Sequence, residues 1–406
     1  MTISVHELDL PEIDFIDLDR ADALTALTGA RETHWLARTP IGYIVSRHED
    51  VTAILRDRRF HSALSMITTM AGITEDLGEF MERRERSILS LEGEEHARLR
   101  RLVAGAFTPK QADKLRPFMR EVIGGLVDAV AASGRCELIA DVCEPYPIPI
   151  ICELLGAPKE DWKLFSNWAT DIFRIFNNDL LNDMPRIDAA SNELDAYVAA
   201  MIEDRRSKPA DDLLSELIAI EEEGDRLSTQ DLIGLAEAVL MAGTDTTRNQ
   251  LACSVALFAQ YPDQWALLAE RPEVAHRAVE ESMRYLGAVR GTARFASEDI
   301  EYRDVLFPKG TLVATSLAGA NFDERAWQDP ATFDITQERT TPQMTFGSGV
   351  HFCLGASLAR AELQEALPLL ARRMRNIEID GAIEWKPDTV GIWGPARLPL
   401  RFDASN

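Results

Sequence analysis

Ten residues constrain this chain more than any other feature: Phe346-Gly347-Ser348-Gly349-Val350-His351-Phe352-Cys353-Leu354-Gly355. The glycine-rich run passes directly into a helical one through Ala356, Leu358, Ala359, Leu363, Ala366 and Leu367. That junction puts Cys353 at a helix N-terminus, where the dipole and free N–H groups favour a thiolate over a thiol. Gly347, Gly349 and Gly355 lack Cβ atoms and let backbone amides approach the sulfur, while Phe346 is placed to shield it from water. The bland alternative is a small buried hydrophobe beside a glycine turn. Gly347-Ser348-Gly349 does not continue to a dinucleotide fingerprint, because position 352 is Phe, and it is not a nucleophile elbow either.

Composition narrows the setting. The 406 residues carry 43 Lys plus Arg against 67 Asp plus Glu, a net charge of −24. So acidic a chain is a poor partner for nucleic acid and has no basic anchor for anionic membranes. Hydrophobic residues at 46% and charged residues at 27% suit a large packed core rather than disorder. The start, Met1 to Asp9, has neither the basic nor the apolar region of a secretory signal. The uncharged stretch Asn249 to Pro262 falls short of the ~18 residues a membrane span requires, and Thr340 to Ala359 is broken by Pro342, Gln343, His351 and glycines. Five widely spaced cysteines (Cys136, Cys143, Cys152, Cys253, Cys353), with no C-x-x-C pair, point to a reducing, cytoplasmic compartment.

No repeat, low-complexity tract or linker divides the chain, so residues 1–406 are expected to form a single domain. The pattern is mainly α with a smaller β portion (α+β). A strand-like run spans Ile41 to Ser46, followed by a short helical stretch through Val51, Ile54 and Leu55. Glu94 to about Ile233 reads as mostly helical, interrupted at Pro145, Pro147 and Pro149 and by a turn at Gly224-Asp225. Ser228 with Asp231 opens the longest apolar helix, which runs to about Gln260. Strands return near Arg294 to Ala314, with a turn at Pro308-Lys309-Gly310, and a final pair covers Ile377–Ile383 and Arg397–Phe402. Pro368 predicts a kink in the helix that follows the cysteine loop.

Inside the longest apolar helix lies Ala242-Gly243-Thr244-Asp245-Thr246-Thr247. A glycine costs about 1 kcal/mol in a helix interior relative to alanine, and a buried unpaired Asp costs more. In structural terms, Asp245 pairs with Arg248 and Thr246 bonds back to the Ala242 carbonyl. In functional terms, a small-residue gap beside a hydroxyl and a carboxylate is what proton delivery to bound dioxygen requires.

Together these segments resemble the cytochrome P450 family of haem-thiolate monooxygenases. The cysteine loop fills every fixed position of its haem-binding signature, and Asp245-Thr246 resembles its acid–alcohol motif. The resemblance implies a P450-like fold with haem between the central helix and the cysteine-loop helix. It implies haem b with Cys353 as the axial thiolate ligand, Phe346, Gly347 and Gly355 of the loop as further cofactor-binding residues, and Asp245 and Thr246 as the catalytic pair. His96 and Arg100, an H-x-x-x-R followed by Phe107-Thr108-Pro109, match the family's propionate contacts, as do Arg294 and His351. Glu281 and Arg284, with Arg339, resemble its structural E-x-x-R.

The implied reaction is oxidation of a hydrophobic small molecule by dioxygen. Electrons are expected from a separate ferredoxin or flavodoxin-type donor, since the chain carries no flavin or nicotinamide fingerprint. Arg98, Arg101, Lys110, Arg360, Arg372 and Arg373 form a candidate dock for an acidic ferredoxin. By the same analogy the substrate pocket draws on Leu64 to Leu77, Trp168 to Leu181, Ala288 to Thr292, and Ile392 with Trp393; Arg290 is either a carboxylate contact or solvent-facing. Ala288 stands where the family often has proline. A peroxide-using enzyme or isomerase on the same haem, and a haem-free helical binding module, are the competing readings.

Overall fold

The structure, a computed structural model, describes residues 2–14, 20–66, 77–176, 179–222, 227–386 and 392–405. The expected turn at Gly224-Asp225 lies outside them, as do residues 67–76 and 177–178 of the expected pocket.

The central helix runs over Thr229–Phe258. Its start is a capping box: Asp231 N–H donates to Ser228 Oγ and Ser228 N–H to the Asp231 carboxylate, both at 3.1 Å. Polar side chains survive in this apolar helix because they bond to its own carbonyls. Thr244 donates to Met241 O at 2.9 Å, Thr246 to Ala242 O at 2.8 Å and Asn249 to Asp245 O at 2.7 Å. Against it pack the helix Pro147–Leu155 and the loop helix Ala356–Arg373, which also lies on Pro109–Ala131. Leu251, Ala256, Leu363, Leu367, Ile123 and Val127, all buried, belong to this shared core.

Pro147 does not interrupt a helix but opens one, at its first position, with Pro149 two residues on. First-turn N–H groups have no intrahelical partner, so prolines there cost no hydrogen bond. Pro368 lies within the loop helix, which continues to Arg373.

The β portion has a five-stranded sheet in the order Leu36–Thr39, Gly42–Val45, Leu312–Ser316, Gly291–Ala296, Phe60–Ser62. Its only parallel pair is Gly42–Val45 with Leu312–Ser316 among the described residues. The final pair is Met374–Ile379 with Pro399–Ala404, so the expected strand bounds are off by a few residues, and a β-bulge shifts the register between Arg375 and Glu378. A short hairpin, Glu384–Trp385 with Pro395–Arg397, stands apart from that sheet. No helix among the described residues is long and apolar enough to cross a membrane.

Candidate active site

The cysteine loop departs from helical geometry before it enters the loop helix. Gly347 and Gly349 have φ of +69° and +74°, and a Cβ on Gly349 would stand 1.9 Å from the Leu55 carbonyl oxygen. These glycines therefore serve the backbone path rather than access to the sulfur. Cys353 N–H donates to Phe346 O at 3.0 Å, which closes the loop. Helix begins three residues later at Ala356, with Gly355 as its N-cap. Phe346 is buried beneath the Arg360 guanidinium, 4.4 Å from the ring centroid, and Arg360 is held by Glu280 at 2.6 Å.

The expected protein-stabilised thiolate is not what this setting provides alone. Burial pushes the Cys353 thiol up, and the Gly355 amide, Arg100 and Arg360 only oppose that. A dry site taxes the charged sulfur more than one amide and two nearby guanidinium groups relieve it. A metal cation bonded to the sulfur reverses the balance, since a coordinating thiol is deprotonated outright.

Four residues assigned in sequence to one anionic group converge. Arg100 Nη2 donates to Phe352 O at 2.6 Å, and the His96 and His351 rings lie 4.5 Å apart. His351 Nε2 meets Glu92 Oε1 at 2.9 Å, and Glu92 also accepts from the Ser62 amide at 2.6 Å. Arg294 is 4% exposed, yet its hydrogen bonds go to neutral oxygens: Thr292 Oγ1 at 3.2 Å and Ala293 O at 2.9 Å. Burial brings it down to about 10, and the Glu92 carboxylate only partly opposes that. Burial and the neighbouring cations likewise take His96 to about 4. A buried guanidinium with no hydrogen-bonded anion is costly, and an anionic group bound there would relieve the cost. The donor set (one cysteine sulfur with two arginines and two histidines nearby) therefore suits a group combining a soft metal with anionic arms. No cluster of three metal-ligating side chains occurs among the described residues.

On the central helix, Ala242 is exposed while Met241 and Thr244 beside it are buried, so an open face lies one turn before Thr246. The gap is at Ala242 and not at Gly243. A Cβ on Gly243 would stand 2.8 Å from Ile151, so this glycine serves helix packing. Asp245 is ion-paired with Arg248, and Thr246 is bonded back to Ala242, as expected from spacing.

Glu281 and Arg284 make two bonds of 2.8 Å, Arg339 adds bonds of 2.7 and 3.0 Å to Glu281, and Arg284 donates to Asn321, Pro330 and Thr332 carbonyls. This network ties the helix Ala275–Tyr285 to the segment ahead of the cysteine loop. The basic cluster divides: Arg98, Arg360 and Arg373 are paired with carboxylates, while Arg101, Lys110 and Arg372 are exposed. Arg56 and Arg58, not singled out in sequence, share a groove with Val350 and Phe352 of the loop. On the pocket side, Val289 bridges Ile392, and Arg290 lies 5.2 Å over the Trp393 ring.

Sequence reasoning also missed Glu362, buried on the loop helix, which accepts a hydrogen bond from Thr247 of the central helix. Its signal was a carboxylate on an otherwise apolar helix face. Burial pushes its carboxyl from an ordinary 4.5 up to about 8. The folded chain keeps a proton the unfolded chain releases, so this stabilisation is complete below pH about 4.5 and lost as pH rises through about 8. Glu362→Gln is expected to flatten that decline, on the order of a few kcal/mol, in urea midpoints measured from pH 5 to 9; an unchanged slope would contradict it.

The comparisons agree with this geometry. The Cytochrome P450 family model matches residues 44–381. The chain is 36% identical to luteothin monooxygenase of Streptomyces thioluteus, over 98% of this chain and 97% of that protein. It is 37% identical to mycinamicin IV hydroxylase/epoxidase of Micromonospora griseorubida, over 89% and 91%. A crystal structure of CalO2 matches with a TM-score of 0.90 at 28% identity, covering 98% of this chain and 100% of that one. Alike in fold and sequence to named monooxygenases over almost its whole length, this chain belongs to the cytochrome P450 family, oxidoreductases that use haem b on a cysteine thiolate, dioxygen and a redox partner to oxidise small molecules.

Proposed function

We propose that this chain oxidises a hydrophobic small molecule, with Cys353 as the axial ligand of haem b. The buried Arg294, which among the described residues hydrogen-bonds only to neutral oxygens, carries the assignment of the cofactor pocket. In this reading Arg294, Arg100, His96 and His351 hold the propionates, Phe346 shields the sulfur, and Gly347 and Gly355 shape the loop's entry and exit. Haem ligated by a thiolate supplies activation of dioxygen. The chain's own residues bind and orient: the buried Ala288 and Trp393 and the bridged pair Val289–Ile392 make an apolar wall. Relatives named luteothin monooxygenase and mycinamicin IV hydroxylase/epoxidase support a small organic molecule as substrate.

Asp245 and Thr246 move protons toward the open face at Ala242. Thr246 Oγ1 is committed to Ala242 O as donor, which leaves its lone pairs free to accept from water. Thr246→Ala is expected to divert reducing equivalents from product to released hydrogen peroxide, lowering the product formed per electron pair by about tenfold. The check is product and peroxide measured in parallel; full coupling in the variant would remove Thr246 from this role.

The exposed Arg101, Lys110 and Arg372, with Arg56 and Arg58 beside the loop, support an acidic ferredoxin or flavodoxin as the donor. Five unbridged cysteines support a reducing, cytoplasmic setting.

A further inference from the structure

Asp245 is too buried to take protons from bulk water: its side chain is 4% exposed. Among the described residues two cations reach its carboxylate. Arg248, three residues on along the same helix, forms one ion pair. Lys386 Nζ, from the short C-terminal hairpin, lies 3.7 Å from Oδ1. A guanidinium keeps its protons at any working pH, whereas an ammonium can give one up. The Lys386 side chain is 29% exposed, so it spans from solvent to the buried carboxylate. Burial pushes the lysine down and Asp245 opposes that shift. The other groups facing this cluster are Glu144, 3.8 Å from Arg248, and Cys253.

Lys386 is held in place rather than merely nearby. Its N–H donates to Gly394 O at 3.0 Å, and its carbonyl accepts from Trp393 Nε1 at 3.1 Å. Trp385 and Trp393 stack with centroids 4.4 Å apart and planes 3° from parallel. The hairpin is fixed to the central helix one and two turns beyond Asp245. Gly394 lies against the Asn249 side chain, whose amide donates to Asp245 O at 2.7 Å, and Cys253 Sγ donates to Trp393 O at 3.8 Å.

We infer that Lys386 is the solvent-side proton donor to Asp245. An Nζ–H bond breaks and an O–H bond forms on the carboxylate, leaving a neutral amine and a carboxylic acid; the amine recovers its proton from water. This rests on the reading of Asp245 and Thr246 as the proton route. The hairpin that also carries Trp393 thereby links the pocket wall to proton supply.

Arginine separates donation from charge, because Lys386→Arg keeps the cation but cannot release a proton. With a plant-type ferredoxin and reductase, and a substrate found by spin-state screening, Lys386→Arg and Lys386→Met are both expected to slow coupled turnover about tenfold and raise its solvent isotope effect. Wild-type turnover and isotope effect in Lys386→Arg would overturn the inference. Normal coupling in Asp245→Asn and Thr246→Ala would instead overturn the reading beneath it. A second measurement needs no turnover: NMR of the holoenzyme with its seven lysines 13C-dimethylated. The Lys386 signal, identified by its loss in Lys386→Arg, is expected to titrate below the other six and to move in Asp245→Asn. A Lys386 signal that titrates with the others and ignores Asp245→Asn would also overturn it.

Discussion

Replacing Cys353 by alanine is expected to abolish both the thiolate signature in the visible spectrum and monooxygenase turnover, while leaving the helices in place. Among the described residues the sulfur donates no hydrogen bond and accepts only from the Gly355 amide; the loop is closed by the Cys353 amide to Phe346 O, which alanine retains. Core packing loses one partly buried side chain, a cost near the low end for large-to-small changes. The electronic contribution is a different matter, since thiolate donation through iron is what favours O–O cleavage. Circular dichroism and thermal melting should therefore resemble the parent protein, while the reduced, carbon monoxide-bound spectrum and product formation change completely. Product formation at the parental rate in Cys353→Ala would refute the ligand assignment.

The second large effect is on stability. Glu281→Ala is expected to cost about 3–5 kcal/mol, the range for breaking a buried pair by removing one partner. The carboxylate takes four hydrogen bonds from two arginines, and Arg284 is 1% exposed. Without it, Arg284 keeps only backbone carbonyls, and its charge lies buried between Tyr285, Phe322 and Trp327. Because the network fixes the segment leading to the cysteine loop, haem retention should fall along with the urea midpoint. A loss under about 1 kcal/mol would place the network outside the scaffold.

What could be read from the chain alone follows from how local each interaction is. The cysteine loop, the Ser228 capping box and the Asp245–Arg248 pair lie within a few residues of sequence, so spacing was enough to place them. The packing role of Gly243 was not legible because its contact, Ile151, is on another helix. For the sulfur, helix position favours an ionised thiol, and the desolvation that opposes it in the protein alone is a tertiary property of the surrounding core. Lys386 is 141 residues from Asp245, with no periodicity to connect them, and only the hairpin docked on the central helix brings them together. Glu362 was hidden for a related reason: an acidic residue in a helix usually faces solvent, and this one faces Thr247.

The most direct measurement is the visible spectrum of the purified, haem-supplied protein, reduced with dithionite and exposed to carbon monoxide. Iron ligated by the Cys353 thiolate gives a strongly red-shifted Soret band, lost in Cys353→Ala. An ordinary Soret position in the parent protein, or no haem band at all, would contradict the central claim.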